Sequence, residues 1–151
     1  MKPEDSKVVD ALNNLVETCK DGQKGFRAAA EGVHNPDLVQ LFKGYSTQRA
    51  SFAADLQAEV RRYGGDPEKS GTVVGTLHRG WLNLLSTLVG RNDADIIAEC
   101  ERGEDSAMKN YEAASREVLP PAVQELVSRQ YKEIKDAHQR ISNLKHAGAG
   151  K

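Results

Sequence analysis

The stretch NPDLVQLFKGYSTQRASFAADLQAEVRRYGG, residues 35–65, contains every signal needed to start, sustain and stop one long helix. Asn35 is a capping residue, and Pro36 takes the first helical position, where its missing N–H has no partner to lose. Leu38, Phe42, Tyr45, Phe52, Leu56, Val60 and Tyr63 then fall on one stripe at the helical period. Gly64-Gly65 closes it, because glycine accepts the left-handed conformation that ends a helix. At the middle of this stripe stands a charged residue, Arg49, flanked by Gln48 and Ser51.

Upstream, Val8, Leu12, Leu15, Cys19, Phe26, Ala30 and Val33 give a second helix over about 6–34, an antiparallel neighbour because the turn at Asn35 is so short. Downstream, Asn92-Asp93 caps a helix whose stripe is Ile97, Cys100, Glu104, Ala107, Tyr111, Ala114 and Val118. Pro120-Pro121 ends it and begins another, with Val123, Val127, Gln130, Ile134, His138, Ile141 and Leu144 inward. The tail from about His146 to Lys151 is expected to fray. Two hairpins of this kind form a four-helix bundle, and the chain leaving the first must climb the bundle's length to enter the second. A further helix over about 72–89, carrying Val74, Leu77, Trp81, Leu84, Leu85 and Leu88, spans roughly 27 Å and serves that crossover. The expected fold is all-α: one ferritin-like domain over residues 1–151 with its core at about 6–145. A five-helix up-and-down bundle is the alternative.

Composition agrees with one soluble domain. The 151 residues are 38% hydrophobic and 28% charged, with a net charge of -1. That balance excludes electrostatic steering to nucleic acid or to an anionic membrane. No secretory signal or membrane span is apparent, and two cysteines are too few for a disulfide scaffold, so the expected compartment is the cytoplasm. Cys19 and Cys100 come out roughly 12 Å apart along the bundle, too far to be bridged, and are expected as inert buried thiols.

Six stretches carry a resemblance to a known family. They are Leu12-Asn13-Asn14-Leu15-Val16-Glu17-Thr18, Lys20-Asp21-Gly22 with Gly25-Phe26-Arg27, Gln48-Arg49-Ala50-Ser51-Phe52, Leu56-Gln57-Ala58-Glu59-Val60, Leu77-His78-Arg79-Gly80-Trp81, and Glu99-Cys100-Glu101-Arg102-Gly103-Glu104-Asp105. Together they resemble a bacterial family of ferritin-like four-helix-bundle proteins of unknown function. The resemblance spans about residues 6–145 and implies the fold and a bacterial cytoplasmic setting. It implies no activity.

Ferritin-like di-metal centres take a Glu from each of two helices and a Glu-x-x-His pair from each of the others, all pointing inward. Antiparallel counting brings Gly22, Arg49, Glu104 and a position near 136 to one level. There the first helix offers Gly22, with Asp21 and Glu17 on its flank, and the second offers Gln48, Arg49 and Ser51. The third offers Glu104 and Glu101, and the fourth offers His138 with Lys135 three residues before it. Two cations stand where a metal would sit, so no cofactor is the favoured reading. The expected alternative is a buried polar layer of Arg49, Glu101, Glu104, Gln130 and His138, in which Arg49 takes the metal's electrostatic role. If a metal binds, iron or manganese on Glu104, His138, Glu101 and Asp21 is the expected set. The bland reading is that Arg49 or Glu104 snorkels to the surface.

Three functions follow as expectations. The first is a non-catalytic bundle acting by association, a homo-oligomer and specifically a dimer, with a stress-related role by analogy alone. The second is a divergent di-iron or manganese oxidase or iron-handling protein. The third is a binder of a small anion at Arg49, through a gap left by Gly22 and Gly25. Tyr45 and Tyr111 are assigned to core packing, and His34 and His146 to helix ends.

Overall fold

The computed structural model describes residues 3–68 and 92–148, and these are helical apart from the turns between helices. Helix α1 spans Pro3–Gly32, α2 Pro36–Arg62, α3 Asp93–Ser115 and α4 Pro121–Gly148. The caps are those the sequence names. The Asn35 side chain accepts from the N–H of Asp37 at 2.8 Å, and that of Asn92 from the N–H of Asp95 at 2.8 Å. Helix α2 ends on Gly64, at φ 80°, with the N–H of Gly65 returning to the Val60 carbonyl at 2.9 Å. Gly65 also lies against α1. A Cβ there would stand 2.5 Å from Val9 Cγ1, so a larger residue requires Val9 to shift.

Helices α1 and α2 pack along their length as one antiparallel hairpin and α3 and α4 as the other, with α1 against α3 and only slight contact between α2 and α4. The start of α3 is tied to the turn of the first hairpin. The Asp93 carboxylate accepts from the backbone N–H of His34 at 2.8 Å and of Asn35 at 3.0 Å. The chain therefore leaves α2 at one end of the bundle and enters α3 at the other. The helix expected over 72–89 lies outside the described residues, as do residues 149–151 of the tail.

Helix α4 is described as helical through Gly148. One expectation at a helix end is corrected. Helix α3 stops at Ser115, so Val118 is not on its buried stripe but 97% exposed. The reason is local: Pro120 and Pro121 restrict the backbone before them, and the N–H groups of Arg116 and Glu117 have already turned back to Ala113 and Ala114.

The apolar core is in two parts. One contains Leu12, Leu15, Cys19, Leu56, Val60, Tyr111, Val127 and Ile134, and the other Phe26, Ala29, Phe42, Ile96, Cys100 and Ile141. Cys19 and Cys100 thus fall on opposite sides of the division, each buried and unbridged. A charged layer lies between the two parts.

Candidate functional site

Arg49 and Glu104 are 1% and 0% exposed and are among the largest fully buried side chains described. The pair is bidentate: Arg49 Nη1 donates to Glu104 Oε1 at 2.5 Å and Nη2 to Oε2 at 2.8 Å. The planar guanidinium fork matches a carboxylate in this way, which adds geometric specificity to the charge attraction. Nε donates to Gln48 Oε1 at 3.1 Å, and the guanidinium lies 5.2 Å from the centre of the Phe26 ring. Gly22 lies against the Arg49 side chain. A Cβ there would stand 3.4 Å from both Cγ and Nη1 of Arg49, in ordinary contact. The gap expected beside Gly22 is therefore filled by the stem of Arg49.

Burial disfavours the charged guanidinium, but the charge and hydrogen bonds of Glu104 more than reverse this, and its pKa is raised. Arg49 remains a cation. From it a hydrogen-bonded path runs outward, since Gln48 Nε2 donates to Glu133 Oε2 at 3.4 Å across the lightly packed α2–α4 seam.

A second buried polar chain lies in the part of the core that holds Cys19. The Tyr111 hydroxyl donates to Gln130 Oε1 at 2.7 Å, which leaves the Cys19 thiol to donate to the hydroxyl across 3.0 Å. Gln130 Nε2 donates to the Phe52 carbonyl at 3.3 Å. Burial pushes the Cys19 thiol up to about 11, with the Tyr111 hydrogen bond opposing, and burial also raises Tyr111 well above its ordinary value. Neither group ionises near neutral pH.

The five residues expected in one layer are thus divided among separate interactions. Arg49 and Glu104 meet, while Gln130 is buried but bonds Tyr111. Glu101 pairs with Lys145 at 2.9 Å, which holds its carboxyl below the ordinary value, and His138 Nε2 lies 2.5 Å from Asp105 Oδ1. Both of these pairs are on the α3–α4 surface. Helical rotation explains the difference: Ala137, 3% exposed, takes the inward position at that level of α4, and His138 is one step round. The roles of Gln48 and Phe26 around Arg49, and of Asp93 at the turn, were not read from sequence. For Gln48 the available signal was a second polar residue beside a buried arginine.

Glu104, His138, Glu101 and Asp21, the residues expected as metal ligands, do not gather into one group among the described residues. Both Glu104 oxygens are committed to Arg49, His138 and Glu101 have other partners, and Asp21 is buried on α1 outside any ligand group. Among the described residues no three His, Cys, Asp or Glu side chains come together to hold a metal ion. No described helix is long and apolar enough to cross a membrane.

A family described as a domain of unknown function (DUF2383) matches residues 7–117, which include α2, α3 and the ion pair. The match covers well over half of the chain, and the chain belongs to that family. No curated protein matches it.

Proposed function

We propose that this member of the DUF2383 family is a non-catalytic, ferritin-like helical bundle that acts by association, as a homodimer in a bacterial cytoplasm. One observation carries the reading: the centre of the bundle is filled and its charge balanced by Arg49 and Glu104, which touch at 2.5 and 2.8 Å with neither exposed. A di-metal oxidase needs inward carboxylates with free oxygens and an open coordination position. An anion binder at the same place needs an Arg49 whose donors are not already engaged. Two antiparallel hairpins, with α2 ending at one end of the bundle and α3 starting at the other, support the ferritin-like part. The bacterial setting rests on the resemblance of the stretches quoted above, and association suits a bundle whose described centre is occupied by its own side chains.

The test is elemental analysis of protein purified without chelator and then offered ferrous iron and manganese anaerobically, with sedimentation on the same sample. Substoichiometric metal and a species of twice the chain mass are expected. Near-stoichiometric metal that is lost in Glu104→Ala would move the protein to the oxidase class. A species of single-chain mass at all concentrations would remove self-association.

A further inference from the structure

The groups around the Arg49 head form a binding site in their own right. Glu104 supplies two carboxylate oxygens, Gln48 an amide oxygen, Phe26 an aromatic face, and Gly22 a wall against the stem. They come from α1, α2 and α3. This is not a donor set for a divalent metal, which needs several oxygen or nitrogen ligands directed at a point and gains nothing comparable from a ring face. It is a set for a flat, delocalised cation: in-plane acceptors at the edge and a π face beside it.

We infer that the bundle centre is a built guanidinium site, occupied in the native chain by Arg49 as its resident cation, and able to take a free alkylguanidinium once that side chain is shortened. The inference deepens the reading of the centre as metal-free. Its specificity has a physical basis. Without Arg49, Glu104 is a buried carboxylate with no counter-charge, and a cavity of the arginine's shape lies before it, so only a ligand restoring both charge and shape relieves the cost.

The experiment uses the full chain with Arg49→Ala, whose missing atoms beyond Cβ are those of ethylguanidinium. Its melting temperature is measured against ethylguanidinium, against the neutral isostere ethylurea, against potassium chloride at equal ionic strength, and against manganese. A saturable rise with ethylguanidinium alone is expected, and the rise should vanish in Arg49→Ala/Glu104→Ala. If Arg49→Ala does not fold unaided, refolding yield from urea is read with the same four solutes, and a selective gain with ethylguanidinium is still required. Equal responses to ethylguanidinium and potassium chloride, or no response in either assay, overturn the inference. Manganese uptake by the wild-type chain would instead overturn the reading of a metal-free centre, so the two failures are distinguishable.

Discussion

Arg49 is the fourteenth of the 27 residues of α2, and Glu104 is the twelfth of the 23 of α3, so their buried ion pair joins the two helices at their midpoints. These helices are diagonal neighbours. Among the described residues no Cα of α2 comes within 8 Å of one in α3, and the pair reaches across the bundle on side chains alone. A long side chain is needed for that span, and a charged one is stable there only with a partner. Because α2 belongs to one hairpin and α3 to the other, the bond ties the two hairpins together at mid-length.

Gly22 tests how closely the Arg49 stem packs on α1. Replacing glycine by alanine inside a helix gains up to about 1 kcal/mol, and the new Cβ would be in ordinary contact with Arg49. Gly22→Ala is expected to be neutral or stabilising in urea unfolding. Gly22→Leu is expected to displace Arg49 and destabilise the fold strongly. If both variants lose stability alike, the packing at this position differs from that described.

Tyr111→Phe removes the hydroxyl that links the Cys19 thiol to Gln130. Gln130 Oε1 then loses its donor inside the core, and such losses cost about 1–3 kcal/mol. The expected result is a lower urea midpoint with an unchanged slope. Tyr111→Phe paired with Gln130→Leu should recover part of the loss, because the polar group left unsatisfied is then gone.

The cysteines give a pH dependence of defined sign. Burial raises the Cys19 thiol from its ordinary 9.0 to about 11 in the fold, so the native state keeps a proton that the unfolded chain gives up. Stability from this group is full below pH 9 and falls as pH rises from 9 toward 11. A thiol-reactive disulfide reagent at pH 8 is expected to label neither Cys19 nor Cys100 until the protein unfolds. Rapid labelling of the native protein would contradict the burial of both.

At the opposite end of the pH scale, Asp93 governs how α3 is tied to the first hairpin. Burial raises its carboxyl, but the N–H groups of His34 and Asn35 and the His34 ring more than offset this, and the net shift is downward. The stability it contributes is present above the ordinary aspartate range and lost as pH falls through its lowered value. Asp93→Ala should remove that acid-side dependence at a cost of about 1 kcal/mol, the scale of a lost helix cap. Acid unfolding curves that superimpose for the two proteins would contradict it.

Both hairpins and two caps were legible in the sequence because each rests on short-range rules: a capping side chain, a proline at the first helical turn, a glycine stop and a 3.6-residue stripe. The meeting of Arg49 and Glu104 was legible as well, since counting from two short turns places both at one level. Helix rotation limited the rest. His138 and Glu101 lie beside the inward direction and not on it, and a difference of about 100° per residue exceeds what a mixed stripe can define. The end of α3 was missed because Val118 continues the period after the backbone has stopped being helical. The contact of Cys19 on α1 with Tyr111 on α3 depends on where the two hairpins meet, which no local pattern encodes.

The central claim is that Arg49 and Glu104 form one buried, mutually dependent unit. The most direct measurement is a double-mutant cycle of Arg49→Met, Glu104→Gln and the pair, read by urea unfolding. Arg49→Met alone should cost about 3–5 kcal/mol, because it leaves Glu104 buried without a counter-charge. The double variant should cost less than Arg49→Met alone, since no charge is then left unpaired. Effects of the two single changes that simply add in the double variant would show that the residues do not act together, and would contradict the account.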